Sequence, residues 1–451
     1  MARIFPFRAY RYDANRFDLA RVLTQPYDKI TPEMQERYYA LDAHNLVRVE
    51  KGRAEQGDGP GENVYTRAAH TLEEWIREGA LPRDAEPCLY ACAQEFAVPG
   101  AARAERRARR GLMALAGLED YSAGIILRHE QTLAGPRADR LELLRHTRTH
   151  TGQILMLFDD AESRVSRLLD RVMGSAPENE LTDEFGVTHR LWRVGDSTLA
   201  QAFRDALAKK PLLIADGHHR YETALAYRDE CRAQGPARGE AAPAPYEKIP
   251  VTLFALQDPG VVVLPTHRAV RGIADFDFPA FRKSLEGIFD WYAYPYPTTA
   301  ERASALAEMR RDLMAREKGP AGKRVLGVYA GGGVYYLFVL RREADLGALL
   351  EHVPATQRSL DVVLLHRLLL EKKLGLTPEA VEREKHITYH REAEGACAAV
   401  DAGQAQICFL LQPIPVRQVY EQAQSGSVLP QKSTDFYPKL LSGVAIYRLD
   451  E

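Results

Sequence analysis

Apolar and polar positions alternate along the chain in short blocks whose period switches between that of strands and that of helices. One junction is sharper than the rest. The run Leu212-Leu213-Ile214-Ala215 ends in Asp216-Gly217-His218-His219-Arg220-Tyr221, and residues 222–229 then follow a helical pattern. This reads as strand, turn and helix, with Asp216 or the turn at Gly217 capping the helix. The backbone N–H groups of a first helical turn lack intrahelical acceptors, and with Arg220 beside them they suit an anion such as a phosphate. Read blandly, an Asp-Gly turn before a helix is common, and paired histidines are often ordinary surface residues.

On the N-terminal side, the pattern predicts a short strand over 45–50, a helix over 65–78 carrying Leu72, Trp75 and Ile76, and strands over 87–98 and 111–118. The arginine-rich stretch 103–110 between those strands reads as a solvated hairpin connection. Helices are expected over 139–146, 161–172 and 198–208, and strands over 154–158 and 189–194.

Residues 234–245, rich in Gly, Ala and Pro, form the clearest linker-like shift in composition. The chain is accordingly expected to divide into an N-terminal α/β domain over 1–240 and a C-terminal α/β domain over 246–451. Beyond the linker, 249–256 and 261–264 suggest a hairpin around Asp258-Pro259-Gly260, and 278–289 and 299–318 suggest helices. Strands over 324–330 and 334–340 meet at Gly331-Gly332-Gly333, a hairpin turn rather than a phosphate loop because no Lys-Ser/Thr and no helix follow. An apolar helix over 359–374 precedes a short βαβ-like return, with strands at 387–389 and 406–411, and a helix spans 416–424. Hairpins beside strand-helix alternation imply an α/β (α+β) fold with mixed sheets and flanking helices.

Composition narrows the function classes. The chain has 451 residues, 45% of them hydrophobic and 27% charged, with a formal net charge of -2. That balance disfavours a nucleic-acid-coating protein. Five scattered cysteines do not make a secreted disulfide framework. The N-terminal residues lack the apolar stretch of a signal peptide, and no segment is long and apolar enough to span a bilayer, so a cytoplasmic location is expected.

Two further polar groups stand beside apolar runs. His129-Glu130-Gln131-Thr132 follows Ile125-Ile126-Leu127-Arg128, in position for proton transfer or phosphate contact; the bland alternative is a charged helix start. Near the C-terminus, Lys432-Ser433-Thr434 sits in a proline-bounded loop able to hold an anion, or simply anchored by Phe436 and Tyr437. Weaker candidates are Asp28 in Pro26-Tyr27-Asp28, the pair His146 and His150, and Thr266-His267-Arg268.

Taken together, Pro26-Tyr27-Asp28, His129-Glu130 with Thr132, Ala215-Asp216-Gly217-His218-His219-Arg220, and Pro430-Gln431-Lys432-Ser433-Thr434 with Phe436-Tyr437-Pro438-Lys439 resemble the bacterial and archaeal family DUF1015. Locally, Asp216 to Arg220 is similar to the phosphate-contacting motif of the ParB/sulfiredoxin-like superfamily, which includes free-serine kinases. The sulfiredoxin cysteine is replaced by histidine here, and no helix-turn-helix module argues for a partitioning protein.

The resemblance implies a nucleotide-binding core and a phosphotransferase acting on a small hydroxyl metabolite such as free serine. Gly217, His218, His219 and Arg220 would hold ATP or ADP phosphates, with Arg140, Lys432, Ser433 and Thr434 adding to them. Asp216 would orient a metal or accept the hydroxyl proton, with His129 and Glu130 completing the catalytic set. Mg is implied by the chemistry rather than by any ligand motif. The alternative is a non-catalytic nucleotide- or metabolite-sensing regulator of ParB-like type. Either way the expected partners are a nucleotide and a small molecule, with no membrane and no nucleic acid.

Overall fold

The structure is a computed structural model that describes residues 2–100, 105–130, 134–235, 243–315, 324–358, 360–377, 380 and 385–449, the side chains of 134–136 excepted. The chain forms two compact units. The first comprises 1–128, 132–262 and 436–451, the second 129–131 and 263–435.

The first unit is built on a mixed sheet. Along its main path the strands run Ile126–Leu127, Leu212–Asp216, Ile154–Phe158, Lys248–Ala255, Arg106–Gly117, Leu89–Ala97, Thr188–Val194 and Asn179–Thr182, with Ile4–Phe5 also pairing to Arg106–Gly117. Leu212–Asp216 is antiparallel to Ile154–Phe158, which is parallel to Lys248–Ala255. Central strands covered on both faces read as continuous apolar runs. Ile154–Phe158 is buried at every position, and Leu212 to Ala215 likewise. They share a core with Val165 and Leu169 of the helix Arg164–Met173, Phe203 of Ser197–Leu207 and Tyr221 of His218–Gln234.

Several helices start where expected. Asn63 caps Val64–Arg77 by accepting from the Tyr65 and Thr66 N–H groups, and the Thr66 hydroxyl answers the Asn63 N–H in a capping box. Leu72 and Trp75 are buried beneath it. The linker-like stretch, whose residues 236–242 lie outside those described, is followed by Lys248–Ala255, one more strand of the first unit's sheet.

The second unit is organised on an antiparallel sheet in the order Phe289–Pro295, Val334–Leu340, Val325–Tyr329, Ile407–Leu410, His267–Val270 and Ile387–His390. The glycine triplet makes the expected hairpin, each of its residues having φ above +70°. Ile387–His390 and Ile407–Leu410 both run antiparallel to His267–Val270, which lies between them, so with the helix Ala393–Asp401 they form a split βαβ return.

Four local expectations give way. Residues 45–50 contain the helix Val47–Glu50 rather than a strand. The stretch 103–110 is not simply a solvated connection, because the strand Arg106–Gly117 begins inside it and Arg109 is fully buried. Lys248–Ala255 makes no hairpin with the residues after Gly260, since both its edges are already paired. The helix expected over 278–289 stops at Lys283, and Phe289–Pro295 is a strand.

Candidate functional site

The strand Leu212–Asp216 delivers the chain to Gly217, whose φ of +97° only glycine adopts without strain, and the helix His218–Gln234 starts there. Gly217 is the cap residue and no side chain caps the helix. The expected alternative, a cap from Asp216, is not used. Asp216 Oδ1 instead accepts from Lys439 Nζ at 3.2 Å, while Oδ2 lies 3.8 Å from Arg220 Nη2. Burial alone would raise the Asp216 pKa, but Lys439, Arg220 and Lys29 hold its carboxyl far below the usual carboxylate range.

Glycine also makes room for Arg220. A Cβ on Gly152 would stand 2.6 Å from Arg220 Nη1, and one on Gly217 would meet Ile154 Cδ1 at 2.9 Å and Arg220 Nη2 at 3.3 Å. Beside Gly152, Thr151 Oγ1 donates to the buried carboxylate of Glu50, which also accepts from Ser442 Oγ at 3.2 Å. Arg140 donates to Glu50 O at 2.8 Å and to Asp139, and its guanidinium lies 4.3 Å from the centre of the Tyr27 ring. Burial and the Asp28 charge raise the Tyr27 hydroxyl to about 12 against the opposing Arg220 and Arg140. Burial, helped by Arg220, lowers His150 to about 3.

Lys439 is placed by a buried arginine that the sequence had suggested was solvated. Arg109 donates to the carbonyls of Tyr437 and Pro438 and, from Nε, to Gln94 Oε1 at 2.8 Å. Gln94 Nε2 in turn donates to Lys439 O at 3.0 Å. The strands Leu89–Ala97 and Arg106–Gly117 thus hold the backbone of 437–439, which carries Lys439 to Asp216. Burial lowers the Arg109 pKa to about 10, still charged at neutral pH.

Of the residues picked from sequence, Asp216, Gly217, His218, His219, Arg220 and Arg140 belong to the first unit. His218 is buried and His219 half-buried. His129, Glu130, Lys432, Ser433 and Thr434 belong to the second. There, Thr434 Oγ1 lies 2.7 Å from His129 Nε2 and 3.1 Å from Glu130 Oε1, which also accepts from Thr434 N at 3.1 Å. Ser433 Oγ donates to Pro430 O, so both hydroxyls of the Lys-Ser-Thr loop are engaged by protein groups. Lys432 is exposed at φ +54°, and its carbonyl accepts from the buried Arg268 at 2.9 Å. Thr132 lies outside the described residues. Among the weaker candidates, Asp28 and His146 are exposed, whereas His267 is buried and accepts at Nδ1 from Leu411 N at 3.1 Å.

Glu50, Thr151, Ser442, Gln94 and Arg109 were not anticipated. Polarity inside an apolar run marked Glu50, after Leu46-Val47-Arg48-Val49, and Ser442, after Leu440-Leu441; Thr151 and Arg109 sit in polar stretches that gave no such signal. Among the described residues no three His, Cys, Asp or Glu side chains converge as a metal site. Asp216 does not fit the expected metal-orienting role, because both its oxygens face cations.

A family model described as a protein of unknown function, DUF1015, matches residues 4–363. The chain belongs to this family. No curated protein matches it. Among solved structures it is similar to a conserved hypothetical protein from Pyrococcus furiosus, with 14% identity and a TM-score of 0.32, covering 73% of this chain and 94% of that one. It is also similar to a free serine kinase in complex with AMP, with 14% identity, a TM-score of 0.34 and coverage of 75% and 92%. A third is SbnI with C-terminal truncation from Staphylococcus aureus, with 10% identity, a TM-score of 0.33 and coverage of 73% and 85%. At that distance the likeness says nothing about activity. Among the described residues, no helix is long and apolar enough to cross a membrane.

Proposed function

We propose that the chain is a nucleotide-dependent phosphotransferase acting on a small hydroxyl metabolite such as free serine, with a ParB/sulfiredoxin-like nucleotide-binding core in its first unit. The observation that carries this reading is the helix start at Gly217, which no side chain caps, beside Arg220 and Lys439. The N–H groups of His218, His219 and Arg220 and the two cations form a preorganised anion cradle. Phosphoryl transfer asks mainly for such positioning and charge neutralisation.

Asp216 takes a different part from the one expected of it. A carboxylate held ionised by Lys439, Arg220 and Lys29 is a weak proton acceptor, so its role is to keep Arg220 and Lys439 oriented. His129 and Glu130, sharing the Thr434 hydroxyl, form a separate polar cluster in the second unit. The same engagement of Asp216 favours a second reading, a nucleotide- or metabolite-sensing regulator without turnover.

Incubation of the purified protein with ATP or ADP, magnesium and a panel of hydroxy amino acids separates the two. A phosphorylated product supports the phosphotransferase. Saturable nucleotide binding with no product from any hydroxyl compound supports the regulator, and failure to bind either nucleotide removes the phosphotransferase and the nucleotide sensor alike.

A further inference from the structure

The second unit contains a cavity of about 330 Å³, within the range of small-molecule sites. One wall is the helix Leu364–Lys373, wound as a π-helix; Leu374 N continues the pattern by donating to Leu369 O five residues back. Such turns are rare, normally occur singly and are frequent at functional sites. Their wider turn brings residues four and five apart onto one face, and Val363, Arg367, Glu371 and Lys372 all line the cavity. Leu429 also lines it, next to Val428, whose carbonyl accepts from Gln357 Nε2 at 2.9 Å.

The charges in this lining do not cancel. Arg367 Nη1 pairs with Glu371 Oε1 at 2.7 Å, and Lys372 Nζ donates to Leu349 O at 2.8 Å. A guanidinium carries five N–H donors and an ammonium three, so both cations keep donors beyond those contacts. Two cations against one carboxylate leave a net positive charge beside an apolar wall.

We propose that this cavity binds a small organic anion, its carboxylate held by Arg367 and Lys372 and a short aliphatic body packed against Val363 and Leu429. At about 30 Å³ per liquid water the space equals roughly eleven waters, which suits a ligand of about ten heavy atoms. The site goes beyond the nucleotide reading and does not depend on it.

The test is calorimetric titration of the full-length protein with octanoate, using octylammonium and octanol as probes of matched length. Octanoate is expected to bind saturably at a single site, roughly ten- to a hundredfold tighter than either probe. The double change Arg367→Glu with Lys372→Glu should erase that preference. If this pair perturbs the thermal unfolding of the free protein, Arg367→Gln with Lys372→Gln gives the same reading. Equal affinity for the three probes, no saturable octanoate binding, or an undiminished preference in a folded charge-removed variant overturns the proposal.

Discussion

Lys439 Nζ stands 3.2 Å from Asp216 Oδ1 across 223 positions of sequence, and both groups are held in the first unit beside the start of the helix His218–Gln234. The pair ties a segment near the C-terminus to the turn that presents the two histidines. Its consequences can be measured in both stability and binding.

The pH dependence follows from the direction of the Asp216 shift, which lies well below the ordinary carboxylate range. A carboxyl whose pKa falls on folding contributes stability that is fully present above its unfolded value, about 3.9, and is lost as pH drops toward the folded value. Asp216→Asn should therefore cost about 1–3 kcal/mol near neutrality and flatten the acid limb of the stability curve below about pH 4. Urea midpoints measured across that range check it. An acid limb identical to that of the parent protein would mean the carboxylate is not held by these cations.

Arg109→Met should destabilise by about 3 kcal/mol, because it leaves the Tyr437 and Pro438 carbonyls and Gln94 Oε1 without the buried donor they share. Arg109→Lys keeps the charge but not the fork and should recover only part of the loss. A lysine variant as stable as the parent would assign the role to charge alone.

The two histidines should separate. His219 is half-buried, so His219→Ala should abolish nucleotide binding at little cost in unfolding midpoint, whereas His218 is buried and His218→Ala should cost about 1–2 kcal/mol. Fluorescence titration with ATP and ADP, paired with thermal unfolding, reads both. If His219→Ala unfolds the protein and the parent binds no nucleotide, the pair is structural.

Gly152→Ala is a test of Arg220 placement. Its new methyl meets the far end of the flexible Arg220 side chain and also the buried Ser442 Oγ at 3.0 Å, so it should cost about 1–2 kcal/mol of stability while nucleotide affinity falls as the guanidinium is displaced. Gly217→Ala should be harsher, with about 1–2 kcal/mol of left-handed strain added to contact with Ile154. Equal affinity in Gly152→Ala and the parent would remove Arg220 from the cradle.

The strand-turn-helix at 212–234 was legible because a full apolar strand, a glycine and a long helix each signal on their own scale. The helix Val47–Glu50 was not, since four residues cannot display a helical period and Val47-Arg48-Val49-Glu50 alternates as a strand does. The strand Phe289–Pro295 did carry a sign, the aromatic-rich run Trp291-Tyr292-Ala293-Tyr294, which suits a pleated surface. The burial of Arg109 had none. An arginine enters an interior only where acceptors await it, and two of its acceptors lie 328 and 329 residues away. The polar clusters were recognisable as chemistry, but their partners depended on pairings of that long range.

Residues 436–451 belong with the first unit, although the second intervenes in the chain. During synthesis, the sheet strands and the histidine-bearing helix emerge long before the segment that carries Lys439 and Ser442. A ribosome that has completed the helix has therefore produced the scaffold of the proposed cradle without its lysine. The Lys439–Asp216 pair can close only after residues 263–435 have been made, and a message broken between the two units' segments would yield a protein with the histidine motif intact and Asp216 without its lysine.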